Sequence, residues 1–250
     1  MILTNFCIIF NKKYKLYAKI IFYDIIFLIR KVIYLHFFYE LIYIIICYLI
    51  GSIPTGLVVG KIFRNTDIRN YGSGNLGTTN AARVLGITLG IVVGLLDVMK
   101  GGLSIILAKN VFETNIPVVF FGIAAVIGHV FPIFARFKGG KAVATSGGVI
   151  LFTSIPIFLI GITTFTIVVI TTRVVSIGST AVAFMILFSS LIAYFFRDIP
   201  FFTRFNVDLP YLLTMCVLFL FVLFRHIPNY KRLILGRENK VGNNNKHGNM

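Results

Sequence analysis

Six stretches of this 250-residue chain are apolar for long enough to dominate what it can fold into: 39–60, 86–108, 116–135, 147–172, 174–195 and 208–225. A helix that crosses a bilayer needs about 20 such residues, so the sequence reads as an all-α, polytopic membrane helix bundle. Composition agrees. Hydrophobic residues make up 58% of the chain and charged residues 13%, with a mean hydropathy of +0.92, whereas roughly a quarter of residues are charged in a soluble domain.

Charge sets the expected orientation. The 24 basic and 8 acidic residues leave a net charge of +16, an excess that fits nucleic acid, anionic lipid or phosphate-bearing substrates near a membrane. Basic residues gather in 61–85 (Lys61, Arg64, Arg69, Arg83), in 136–141 (Arg136, Lys138, Lys141) and in the tail from Arg225. The positive-inside rule puts all three on the cytoplasmic face. Six simple crossings cannot do this, because the tail would end outside. Pro156 lacks an N–H and clashes with the preceding turn, so it can divide 142–172 into a short helix before it and a longer one after it. About seven membrane helices, one or more short or broken, then satisfy the charges. The short piece, 142–155, reaches only about 21 Å and must be lined by protein. On this reading Arg173 is cytoplasmic, while Arg197 and Arg204 fall outside, against the rule.

The first 36 residues fit poorly, since Lys12, Lys13, Lys15, Lys19, Arg30 and Lys31 would lie outside and Asp24 interrupts the apolar run 20–29. An upstream start codon, or an extra amphipathic or spanning helix, accounts for them; no small-residue cleavage site marks a signal peptide. The chain thus divides into an atypical extension at 1–36, a membrane domain at 37–232 and a polar tail at 233–250, whose GNNNKHGN reads as disordered. Cys7, Cys47 and Cys216 form no CxxC pair or Cys/His cluster, so neither a disulfide framework nor a metal site is expected.

Polar chemistry concentrates in a few motifs. Residues 72–80 read Gly72-Ser73-Gly74-Asn75-Leu-Gly77-Thr78-Thr-Asn80, which formally contains GxGxxG. A dinucleotide fold would need an apolar strand before it, but the residues from Asp67 to Tyr71 are charged, and the acidic residue at the right spacing, Asp97, lies in a membrane helix. What remains is a loop whose glycines permit close approach and whose N–H groups, with Ser73, Thr78 and Asn80, can receive an anion at a helix start. A plain turn between helices is the alternative. Residues 139–148 begin Gly139-Gly140-Lys141 and include Thr145. They are not a Walker A loop, because Ala135 stands where the first glycine belongs and no Ser or Thr follows Lys141. A lysine in a glycine-rich turn opening a helix still suits phosphate; small residues serving helix packing is the other reading.

Asp97 and Lys100 are three apart on one helix and can lower the cost of burying two charges, either as a structural ion pair or with Lys100 as a ligand. His129 precedes the second basic loop as an interfacial or a catalytic histidine. His226 and Asn229, at i and i+3, project into one site if the last helix continues through Pro228; a polar helix ending has the same composition. Leu41, Phe134 and Lys231 stand five positions after the first three histidines, so the usual His-Asp acyltransferase box is absent.

In order, Gly51-Ser52-Ile-Pro54, the 72–83 motif ending in Arg83, Asp97-x-x-Lys100-Gly, Gly-His129-x-x-Pro132, Phe137-x-Gly-Gly-Lys141-x-Val-Ala-Thr145 and Arg225-His226-x-x-Asn229 resemble the bacterial acyl-phosphate:glycerol-3-phosphate acyltransferases (PlsY). The resemblance covers residues 47 to about 240, with six motifs in order. It implies a multipass enzyme of the bacterial inner membrane, its active site and C-terminus cytoplasmic, that moves a fatty acyl group from acyl phosphate to the sn-1 hydroxyl of glycerol 3-phosphate. The products are lysophosphatidic acid, made in the first step of phospholipid synthesis, and phosphate. It implies Ser73, Arg83, Lys141, His226 and Asn229 as active residues. Gly72, Gly74, Asn75, Asn80, Lys100, His129, Gly139, Gly140 and Thr145 would complete the substrate pocket. No cofactor, metal, acyl-CoA or nucleic-acid partner is implied. Ala142 stands at a usual glycine and Thr78 at a usual alanine; alanine is tolerable at 142 if that residue is already helical.

The residues suit this chemistry in their own right. Both substrates are phosphate anions and one carries a long apolar chain, so a basic pocket at a helix-lined membrane interface meets both demands. Acyl phosphate is a mixed anhydride with a good leaving group, so no covalent nucleophile is needed, and no carboxylate–histidine relay accompanies Ser73. Arg83 and Lys141 would neutralise phosphates, Ser73 and Asn229 would hydrogen-bond substrate oxygens, and His226 or a substrate phosphate would take the hydroxyl proton. A multipass transporter of an organic phosphate is the rival, since broken helices and anion-binding helix ends would serve it too; the lack of an inverted repeat stands against it.

Overall fold

The computed structural model describes residues 2–241, among which every regular element is helical. The GNNNKHGN stretch and the side chains of residues 1–16, 18, 20 and 21 lie outside the described residues. Two compact units divide the chain, Met1–Ile42 and Tyr43–Met250. The first is formed by α1 (Ile2–Ser52), whose side chains over 22–39 are largely exposed, Phe22, Phe27 and Tyr34 among them. The second contains the end of α1 and then α2 (Thr55–Arg64), α3 (Thr78–Leu85), α4 (Ile87–Asn110), α5 (Val119–Val130), α6 (Val143–Thr153), α7 (Ile155–Thr172), α8 (Val175–Phe195), α9 (Pro200–Thr203) and α10 (Leu209–Ile234). Among the described residues, five stretches are long and apolar enough to cross a membrane: Phe22–Arg64, α4, α7, α8 and α10. Val119–Ala135 and α6 are shorter apolar segments.

The 142–172 region is divided as expected, but Pro156 acts by starting a helix. α6 ends at Thr153, Ser154 is extended at φ −147° and ψ 98°, and Pro156 falls in the first turn of α7. There its missing N–H has no helical partner to lose and its fixed φ already suits the helix. The Ser154 hydroxyl secures the break by donating to the Phe205 carbonyl at 2.6 Å. A second break, between α1 and α2, lies at Pro54, and the Ile53 carbonyl beside it accepts from Lys100 Nζ at 3.1 Å.

Glycines decide where helices touch. A Cβ at Gly101 would lie 2.1 Å from the Thr145 carbonyl oxygen, and one at Gly148 would lie 2.0 Å from that of Val98, so α4 and α6 cross backbone to backbone. Within the second glycine-rich motif, Gly148 is therefore a packing residue. Gly51 and Gly128 bring the end of α1 against α5 in the same way. α10 runs through Pro228 to Ile234, past the domain boundary expected at 232. The chain then folds back, and the Val241 N–H donates to the Arg173 carbonyl at 2.7 Å. The segment expected as tail thus begins as part of the membrane unit.

Candidate active site

The first glycine loop is organised by Asn80, in the first turn of α3. Asn80 is buried; its Oδ1 accepts from the Ser73 N–H at 2.8 Å, and its Nδ2 donates to the carbonyls of Ile68 at 3.0 Å and Tyr71 at 3.2 Å. Gly72 and Gly74 have φ of 61° and 68°, in the left-handed region that glycine enters at no steric cost. A Cβ at Gly72 would also meet Asn80 Oδ1 at 2.3 Å. Asn75 Oδ1 accepts from the Gly77 N–H at 2.9 Å, just before α3 begins. Ser73 and Arg83 are left exposed on this frame.

The second loop is held by distant parts of the chain. The Gly140 N–H donates to the His129 carbonyl at 3.1 Å, and a Cβ on Gly140 would overlap His129 Nε2 at 1.9 Å. From α10, Arg225 Nη2 donates to the Gly140 carbonyl at 3.0 Å and reaches that of Gly139 at 3.4 Å. Ala142 follows Lys141 with φ 59° and ψ 12° as the cap of α6. The alanine at this usual glycine position is left-handed, not helical, which corrects the condition under which the sequence made it tolerable. Burial, with the neighbouring arginine charges, pushes the Lys141 ammonium down to about 8.

Both loops open onto one cavity of about 430 Å³. Ser73, Asn75, Asn80 and Arg83 line it from one side, and His129, Lys141, His226 and Asn229 from the other. Lys141 Nζ donates to Asn229 Oδ1. His226 Nδ1 lies 2.8 Å from the Val222 carbonyl one turn back, so a neutral ring hydrogen-bonded there presents Nε2 as its acceptor. The helix does continue through Pro228, which puts His226 and Asn229 on one buried face. Away from these groups the cavity becomes apolar, between Val98, Ile150, Phe158 and Ile186.

Several residues expected in the pocket stand behind it. Lys100 does not line the cavity; its ammonium pairs with Asp97 Oδ1 at 2.9 Å and with the Ile53 carbonyl. The same Asp97 oxygen accepts from Thr55 at 2.6 Å and lies 3.4 Å from His129 Nδ1. This network joins α2, α4 and α5 and offsets the penalty of about 3 kcal/mol that each charge carries at membrane depth. Thr145 is fully buried at the α4–α6 crossing, and Gly72, Gly74, Gly139 and Gly140 shape the loops without lining the cavity.

A family model for glycerol-3-phosphate acyltransferase matches residues 41–236. The chain belongs to the family of membrane glycerol-3-phosphate acyltransferases. A glycerol-3-phosphate acyltransferase of Macrococcus caseolyticus (strain JCSC5402) is 44% identical over 198 residues, 79% of this chain and 95% of the relative. One of Bacillus subtilis (strain 168) is 44% identical over 199 residues with the same shares. Among solved structures, PlsY (YgiH), an integral membrane glycerol 3-phosphate acyltransferase in its glycerol 3-phosphate form, superposes with a TM-score of 0.71 at 33% identity, covering 81% of this chain and 95% of that one.

One residue of this acyltransferase's cavity was not singled out from sequence. Glu238 Oε1 accepts from Asn229 Nδ2 at 2.6 Å and from the Ser176 hydroxyl at 3.0 Å, and Oε2 accepts from Arg232 Nε at 2.8 Å. Burial pushes its carboxyl up, but these three hydrogen bonds together outweigh burial and hold it below the usual carboxylate range. The available signal was its isolation, as the single acid in the basic stretch from Arg225 to Lys240. Arg225 was noticed only as part of a helix ending, because its partners are carbonyls far away in sequence.

Proposed function

We propose that the cavity transfers a fatty acyl group from acyl phosphate to the sn-1 hydroxyl of glycerol 3-phosphate at the cytoplasmic face of a bacterial inner membrane. The observation that carries this is the continuity of one cavity from a cationic end, with Arg83 and Lys141, to an apolar limb between helices. A relative solved in glycerol 3-phosphate and lysophosphatidic acid forms supports the acceptor and the product. The segments 61–85 and 136–141 and the end of α10 are rich in basic residues, which supports the cytoplasmic assignment. Residues 1–36 are an extension outside the catalytic unit, which we extend from 37 past Glu238.

The acceptor hydroxyl oxygen attacks the acyl carbonyl carbon, the bond from that carbon to the phosphate oxygen breaks, and phosphate leaves with the electron pair. The hydroxyl proton passes to His226 Nε2 or to a substrate phosphate oxygen. Arg83 and Lys141 stabilise the phosphates before and after the step as preorganised charge. Ser73 donates to a substrate oxygen. Glu238 fixes the Asn229 amide so that its oxygen faces Lys141, and Lys141 exchanges this partner for substrate phosphate.

Purified protein in detergent, given glycerol 3-phosphate and palmitoyl phosphate, should form lysophosphatidic acid and phosphate in equal amounts. No product under these conditions, together with organic phosphate uptake into liposomes carrying the protein, would favour the transporter and overturn the enzyme reading.

A further inference from the structure

The apolar limb of the cavity has one wall made by an absent side chain. Of the eighteen residues of α7, only Ile157 and Gly161 are buried. Gly161 faces α8, where a Cβ would lie 3.1 Å from Ile186 Cδ1, 3.3 Å from Ile186 Cγ1 and 3.6 Å from Val182 Cγ1. Gly161, Ile186 and Val182 all line the cavity, beside Phe158 and Phe165 of α7. Gly101 and Gly148 meet backbone carbonyls at about 2 Å and have no room for any side chain. At Gly161 the neighbours are the ends of flexible side chains, so helix approach alone does not demand glycine, and what its missing side chain leaves is cavity space.

The position of this wall along the cavity matters. Ser176 of α8 hydrogen-bonds Glu238 at the polar end, and Ile186 lies ten residues further along the same helix, about 15 Å along its axis. A chain whose carbonyl sits among Arg83, Lys141 and His226 would reach the Gly161–Ile186 wall with its distal methylenes. We infer that Gly161, opposed by Ile186, sets the length of acyl chain that this enzyme accepts. The inference rests on the acyl transfer proposed above. Adding bulk at 161 fills the far part of the limb; removing it at 186 enlarges the same part. Neither change reaches the polar end, where glycerol 3-phosphate binds.

The test compares decanoyl and palmitoyl phosphate as donors for the full-length enzyme in detergent. Gly161→Leu should lower the ratio of kcat/KM for palmitoyl over decanoyl phosphate about tenfold, the scale on which a few methylenes are discriminated in an apolar pocket. Gly161→Ala should lower it by less, and Ile186→Ala should raise it. The KM for glycerol 3-phosphate should move less than the donor ratio in each. If Gly161→Leu fails to fold, the alanine variants decide the matter. A donor ratio within twofold of the unsubstituted enzyme in the folded variants, with overall activity lowered equally for both donors, would leave Gly161 as a packing residue and overturn the inference. Absence of turnover by the unsubstituted enzyme with either donor would overturn the acyl-phosphate reading, and this one with it.

Discussion

The 72–77 loop is held from within, and the 139–142 loop is held from outside. In the first, a single side chain only a few residues downstream, Asn80, bonds the start of the loop at Tyr71 and Ser73, Asn75 bonds its end at Gly77, and glycines occupy the two left-handed positions. In the second, the bonds come from His129 on α5 and Arg225 on α10, and the left-handed positions around the loop carry Arg136, Phe137 and Ala142. A non-glycine residue in that region costs about 1–2 kcal/mol. The first loop can form as soon as α3 forms, whereas the second exists only once α5, α6 and α10 have packed. The contrast teaches that two glycine-rich turns facing one cavity need not share a failure mode. Damage to the first should be local; damage to the second can start anywhere in the bundle.

The largest expected effect breaks the second loop's chemistry without touching its frame. Lys141→Ala should lower kcat/KM by about a hundredfold or more with little change in melting temperature, and full acyltransfer in this variant, or in Arg83→Ala, would defeat the assignment of these cations. Asn80→Ala removes three hydrogen bonds at a net of about 1 kcal/mol each, so thermal unfolding in detergent should show a loss of about 3 kcal/mol with reduced turnover. An unchanged melting curve would mean that the first loop is not organised from Asn80. Arg225→Ala, which frees the Gly139 and Gly140 carbonyls, should raise the KM for acyl phosphate about tenfold, an effect typical of a lost charge-assisted bond. An effect on turnover alone would point away from loop positioning.

Two smaller tests sharpen the comparison. Lys141 loses its proton as pH rises through about 8, and kcat/KM reports the free enzyme. Phosphate capture is therefore intact below that value and declines above it, by about threefold across the one unit centred there, and Lys141→Arg should flatten the decline because a guanidinium stays charged. A flat profile in the unsubstituted enzyme would argue against a charge requirement at Lys141. Ala142→Gly relieves the left-handed alanine but adds freedom to the unfolded chain, at about 0.5–1 kcal/mol. The net gain in stability should be about 0.5–1 kcal/mol; a loss would mean that the backbone there is not strained.

Much of the fold was legible because membrane helices announce themselves by length and apolarity. The stretches at 86–108, 174–195 and 208–225 correspond to α4, α8 and α10, and the parity of the basic clusters already requires the division of 142–172 that α6 and α7 show. The position of that division, at Ser154 with Pro156 inside the next helix, was not legible, because proline is compatible both with ending a helix and with opening one. Ser73, Arg83, Lys141, His226 and Asn229, expected together from the family resemblance, all line the one cavity. Glu238 was missed, and Lys100 was placed in a pocket it does not line.

By itself the sequence determined the helical membrane class, the end of the bundle where cations gather, and the residue types able to hold phosphate. These depend on composition and short-range spacing, and water, lipid and local backbone geometry read them directly. Only the tertiary structure decided which cations face the cavity and which are neutralised behind it, that a carboxylate from the end of the chain orients Asn229, and that Gly161 leaves space where Gly101 and Gly148 leave none. Each of those depends on what stands opposite a side chain across a helix–helix contact, and partners brought together from tens of residues apart leave no periodic mark in the sequence.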